Sequence, residues 1–105
     1  MSHHVDSMSG TPARVEWARR IRLQVDAEFQ RVASAFRTVA AAQSADQRAR
    51  TEIILAILED QRLAVLSRTE ASYFIRHWQE ISDQVRQLIV QDPRYPPPEY
   101  PTKTE

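Results

Sequence analysis

Cysteine is absent from this chain and glycine occurs once, at Gly10. The first absence excludes disulfides, thiolate metal sites and cysteine nucleophiles together. The second leaves no glycine-rich loop able to cradle a phosphate. Proline is missing from the interior: between Ala13 and Asp92, a run of 80 residues, neither strong breaker of regular structure appears. Long apolar runs are missing too, none approaching the roughly 20 residues that span a bilayer. The polar start MSHHVDSMSG has no hydrophobic region of the kind a secretory signal needs. Cytoplasmic residence without a membrane partner is therefore expected. Nor is there an excess of either charge, with 14 basic and 14 acidic side chains, so no global field steers the chain toward nucleic acid or an anionic surface.

What is present reads as helix. Apolar residues make up 42% of the chain and charged residues 27%, the balance of an ordinary helical domain rather than of a disordered segment. A chain of 105 residues holds one modest core. Thr11 can cap a first helix with Pro12 at its first position, where the missing N–H costs nothing. Val15, Ala18, Val25, Phe29, Val32, Phe36 and Val39 then succeed one another at three- and four-residue steps, a heptad seam interrupted by Arg22. Over about 30 residues that helix reaches about 45 Å. A turn is expected within 42–46, because Ser44 and Gln47 have the spacing of a capping box.

The second helix is apolar around much of its circumference, with Ile53, Ile54, Leu55, Ala56, Ile57 and Leu58 and then Leu63, Ala64, Val65 and Leu66. Such a helix has to be covered from more than one side, by a third helix or by another subunit. The third, with a seam of Ala71, Phe74, Trp78, Ile81, Val85 and Leu88, is expected to run to Asp92, before Pro93. A break near Ser67 is preferred to one continuous rod, since Ser67 and Glu70 also fit a capping box. The expected fold is all-α: a three-helix bundle or helical hairpin with a long first helix and coiled-coil-like packing, associating as a homo-oligomer, with a dimer favoured and the subunit count open. The expected divisions are a flexible start at 1–10, a helical domain at 11–92 and an extended tail at 93–105. Part of the start can derive from a tag or an upstream start codon, since Met8 also suits a first residue.

Several features carry candidate chemistry. The tail holds five prolines and two tyrosines, and Pro97, Pro98, Glu99 and Tyr100 match the PPxY pattern that resembles ligands of WW domains. Pro98, Pro101 and Lys103 likewise match a pattern of some SH3 ligands. A preformed polyproline ridge loses little entropy on entering an aromatic groove. The plainer reading is that Pro93 stops the last helix and the rest is a linker, or packs back on its own domain through Tyr95 and Tyr100. Near the start, Arg14, Arg19, Arg20 and Arg22 surround Trp17, which offers an alternative function in binding nucleic acid, although neutral overall charge disfavours such a partner. Thirteen of the fourteen basic side chains are arginine, suited to bidentate contacts and equally a product of a GC-rich genome. Arg22 on the seam is expected to pair with Asp26 or with a partner's carboxylate. A free amine with His3 or His4 third in the chain would suit copper or nickel, but no metal or other cofactor is expected. His77 is read as structural. The stripe of Glu52, Glu59, Asp60 and Glu70 is read as solvated, with a small cavity near Gln61 and Arg62 as the alternative.

Arg19 and then Asp26, and Arg76, His77, Trp78 and Gln79 with Ile81, are similar to fragments of the all-helical chorismate mutases, three-helix chains that dimerise. That likeness implies a site between helices holding a dianionic substrate with several cations. Asp46, Gln47, Arg48, Ala49 and Arg50 depart from the family's Asp-x-x-Arg-Glu cluster, and Val85 and Ile89 stand where it has polar groups. No catalytic residue is assigned. The expected function is that of a non-enzymatic assembly and adaptor protein, partnered by itself and by another protein. A ligand-binding or chorismate-mutase-like helical enzyme is the second alternative.

Overall fold

The computed structural model describes residues 8–97. They form four helices, α1 (Pro12–Ala40), α2 (Ala45–Leu66), α3 (Ala71–His77) and α4 (Ile81–Val90), and no strand beyond one isolated bridge. The long first helix begins as its sequence dictates: the Thr11 hydroxyl accepts the Arg14 N–H at 3.4 Å, with Pro12 at the first position. At α2 the capping box is complete, the Ser44 hydroxyl accepting from the Gln47 N–H and the Gln47 side chain accepting from the Ser44 N–H, each at 3.3 Å.

The expected third helix is two. Trp78 leaves helical geometry at φ −123°, ψ 40°, and α4 starts afresh after Glu80, itself non-helical at φ −111°, ψ 78°. No glycine or proline produces this break. Side chains do, by satisfying the carbonyls that the end of α3 leaves free: Gln79 donates to the Ile75 carbonyl at 3.3 Å and Gln84 to that of His77 at 2.6 Å. Helices α1 and α2 end in the same manner. Arg48 donates to the carbonyls of Ala40 and Gln43, and Arg22 to that of Leu66 at 2.8 Å. In a chain almost without glycine, the C-termini of α1, α2 and α3 are closed by guanidinium and amide side chains, and arginine there also suits the negative end of the helix dipole.

Two expected details are corrected by these contacts. Arg22 makes its hydrogen bond to the Leu66 carbonyl and so closes α2, acting on Asp26 through its charge while Arg62 supplies the hydrogen-bonded ion pair. Ser67 and Glu70 form no capping box: the Ser67 hydroxyl turns back to the Ala64 carbonyl, and Glu70 pairs with Arg68 at 3.2 Å. The helical break at 67–70 is nevertheless present.

Helix α1 is the spine, packing against each of the other three, while α4 also touches α2. Val25, Phe29, Leu58, Phe74, Trp78 and Val85 are buried together in one core, with Val32, Phe36, Ile54, Ile81 and Leu88 half-buried against it. Ile57 is also buried. Val39, expected on the seam, is half exposed, because Ala40 takes the inward position at the last turn. The start of the domain also differs from the expected boundary. Met8 packs on the core, the Ser9 N–H donates to the Thr69 carbonyl at 2.8 Å, and the Ala71 N–H donates to the Ser9 carbonyl at 3.0 Å. Gly10 makes the turn between Ser9 and α1 at φ +140°, where a Cβ would also lie 3.2 Å from that of Ala71.

The molecule measures 59 × 25 × 18 Å, long and thin. Its thinness leaves Trp17, Leu23, Val39, Ile53, Leu63, Val90 and Tyr95 exposed. No helix of the described residues is long and apolar enough to cross a membrane.

Candidate partner-binding site

The tail does not leave the bundle at Pro93. Asp92 accepts the N–H of Arg94 and pairs with its guanidinium at 3.0 Å, forming the compact turn that an aspartate at a helix end favours. Three residues of α2 then hold the next segment as a strap. Gln61 donates to Asp92 at 3.1 Å, Asp60 pairs with Arg94 at 2.7 Å, and Arg50 donates to the carbonyl of Pro97. Pro96 is buried, beside a notch formed by Phe36, Gln47, Thr51 and Ile54. The Arg94 guanidinium and backbone N–H hold the Asp92 carboxyl well below the usual carboxylate range, and Arg94 is raised in turn.

Residues 92–97 are thus a strap laid on α2, where the sequence suggested a free tail from residue 93. Of the PPxY pattern, Pro97 sits at the end of this strap, while Pro98 and Tyr100 lie outside the described residues, as do His3, His4 and the SH3-type match at Pro101 and Lys103. The alternative of a tail packed back on its own domain was open in the sequence, but the partners that hold it, Arg50, Asp60 and Gln61, are ordinary polar residues of a helix and could not be named. Asp92 directly after the last apolar turn was its only local signal.

Beside the strap, an open groove of about 750 Å³ runs between α1 and α4. Val32, Phe36, Ile81, Val85, Ile89 and Val90 form its apolar floor, and Tyr95 closes one end. Its rim is charged with both signs: Glu28 and Arg31 on α1, and Glu80, Asp83 and Arg86 beside or on α4. Glu28 is held below the usual carboxylate range by the Arg31 guanidinium at 2.6 Å, with burial opposing and the Ser82 hydroxyl assisting. That Glu28–Ser82 contact fixes the start of α4 against the middle of α1.

On the other side of α1, Asp26 meets Arg62 at 2.7 Å, and Arg62 also reaches Glu59 at 3.3 Å. Burial works against the Asp26 charge, but hydrogen bonds from Arg62 and Gln30 outweigh it and lower its pKa. A half-open pocket of about 190 Å³ lies here, lined by Phe29, Ala33, Leu55 and Leu58 with Gln30, Arg37, Glu59 and Arg62 at its polar wall, in place of the interior cavity with Gln61 that was the alternative for this stripe. Gln61 is not part of it, being engaged with Asp92. Two acids flank Arg62, so the positive charge this wall presents to an anion falls mainly to Arg37.

The residues around Trp17 do not converge. At about 100° per residue, positions 14, 17 and 20 share one flank of α1 while 19 and 22 point to the opposite one. Arg20 pairs with Glu16 at 3.2 Å and Arg22 is committed to Leu66. Trp17 itself is 53% exposed. His77 is exposed with its ring 5.5 Å from that of Tyr73, and no group of His, Asp or Glu side chains suited to a metal occurs among the described residues. No family model matches this chain, and neither a curated protein nor a solved structure matches it.

Proposed function

We propose that this chain is an assembly and adaptor protein, which associates with copies of itself and presents its proline-tyrosine tail to a protein partner. The observation that supports self-association is the thinness of the bundle, 18 Å in one dimension, with large apolar side chains left at the surface and an apolar groove open along one side. Exposed apolar surface of this kind is a marker of interfaces. The strap supports the adaptor half, because it brings the chain to Pro97 on a rigid helix and so starts the remaining tail from a defined point.

Sedimentation equilibrium tests the first half: a concentration-dependent mass above 12.2 kDa is expected, and a monomer throughout the high micromolar range would overturn it. For the second half, an isolated WW domain is titrated with the full chain and with a chain ending at Pro97, which keeps the strap. Binding lost on truncation is the expected result; equal binding, or none to the full chain, removes the docking role.

A further inference from the structure

We propose that two copies of this chain exchange residues 81–97, α4 with its strap: the α3–α4 break straightens into one helix, and each copy seats its α4 on α1 and α2 of the other. This rests on the self-association proposed above and names the segment that mediates it. Side chains at the break stand in for helical hydrogen bonds. In a continuous helix the carbonyls of Ile75 and His77 would accept from the backbone N–H groups of Gln79 and Ile81, four residues on; in the bent chain the side chains of Gln79 and Gln84 donate to those same two carbonyls. Helix α4 starts without a side-chain cap, and no glycine or proline occurs within 13–92. Gln79 and Glu80 are good helix formers, and Phe74, Trp78, Ile81, Val85 and Leu88 keep alternating four- and three-residue steps straight through the break. Nothing in the covalent chain opposes one helix over 71–90.

The seat of α4 does not depend on which copy fills it. Helix α4 packs on α1 and α2 and not on α3. The Ser82 hydroxyl meets Glu28 on α1, while Asp92, Arg94 and the Pro97 carbonyl are held by Gln61, Asp60 and Arg50 on α2. Exchange keeps all of these contacts, because the incoming α4 is chemically identical, and it closes as a twofold dimer. The bond from Gln84 to His77 is the latch of the bent form: along one straight helix the two residues stand about 10 Å apart, beyond a glutamine's reach. Backbone hydrogen bonds through the straightened junction take its place.

The test exploits a chain without native cysteine. With Glu28→Cys and Ser82→Cys together in the full chain, a short bis-maleimide joins α1 to the α4 seated on it. Crosslinking at high micromolar concentration, followed by denaturing electrophoresis, is expected to give covalent pairs of chains at twice 12.2 kDa. Sedimentation equilibrium on two further variants reads the junction itself, each checked for helical content by circular dichroism. Glu80→Gly, which suits a helix start but not a helix interior, is expected to weaken association roughly fivefold for each straightened junction. Gln84→Ala, which removes the latch, is expected to strengthen it. If the chain is dimeric but every crosslink stays within a single chain, or if both junction variants associate as the unaltered chain does, the exchange is overturned and assembly stands. If the unaltered chain is monomeric throughout that range, the assembly reading and the exchange fall together.

Discussion

The pairing of Asp26 with Arg62 shows how much one side chain can decide in a bundle this thin. Both are about three-quarters buried, the carboxylate accepts from Arg62 and Gln30, and the guanidinium ties two facing helices at mid-length. Burial alone would raise the Asp26 pKa; it is lowered, so the folded state favours the charged form. Asp26→Asn keeps the shape and removes the charge, leaving Arg62 with Glu59 alone. A loss of about 1–2 kcal/mol is expected, between the value of exposed pairs and the larger cost of breaking a fully buried one. Urea denaturation of Asp26→Asn, Arg62→Met and the double variant checks it, a coupling energy near zero being the result against it. This pair was not legible in the sequence, where Asp26 had Arg22 four residues away on its own helix. The nearer arginine went instead to a helix end that carried no glycine, an outcome set by tertiary position rather than spacing.

At the scale of elements, helix starts and helix ends behaved differently. Thr11–Pro12 and Ser44 with Gln47 capped where their spacing placed them, because N-caps are made by side chains local in sequence. C-termini usually announce themselves by glycine, and here the work passes to Arg22, Arg48, Gln79 and Gln84. The break at Trp78 was invisible for that reason: the apolar spacing from Ala71 to Leu88 is continuous, and the partner of the His77 carbonyl lies seven residues ahead at Gln84. The seam read from that spacing was largely the core that forms, because burial needs only the period and not the unbroken helix. Arg22→Ala should therefore destabilise the fold although it removes little apolar contact. Its hydrogen bond to Leu66 is charge-assisted and half-buried, and losing it leaves the last carbonyl of α2 without its donor; about 1–2 kcal/mol is expected, or roughly 5–10 °C in Tm for a domain of this size. Arg19→Ala, three residues earlier and exposed, should change Tm by no more than a degree or two. Thermal unfolding of the two variants side by side checks the capping role, and equal losses would refute it.

For the whole molecule, the acids that hold it together all shift the same way, and this sets how the fold and its strap respond to pH. Asp26, Glu28 and Asp92 each have a folded pKa below the ordinary carboxylate value, through Arg62, Arg31 and Arg94 respectively. As pH falls through about 4, the unfolded chain takes up these protons before the folded one does. Their contribution is therefore fully present above the unfolded values and is lost as pH drops toward the depressed folded ones. The urea midpoint at fixed protein concentration should be flat from pH 8 to about 5 and fall steeply below about 4. Asp92 has the largest shift of the three and belongs to the strap, not to the core, so its role can be separated from theirs. Asp92→Asn should lower the midpoint at neutral pH and make the acid fall shallower, while Asp26→Asn should leave the strap intact. Proteolysis distinguishes the two: cleavage after Arg94 by trypsin should quicken in Asp92→Asn at neutral pH, and in the unaltered chain the strap should open only as Asp92 is protonated. Trypsin does not act in strong acid, so that second limb is read from Tyr95 fluorescence instead. An acid fall of the same slope in the unaltered chain and in Asp92→Asn, together with unchanged cleavage at Arg94, would show that the Asp92 turn carries neither the strap nor any part of the acid sensitivity.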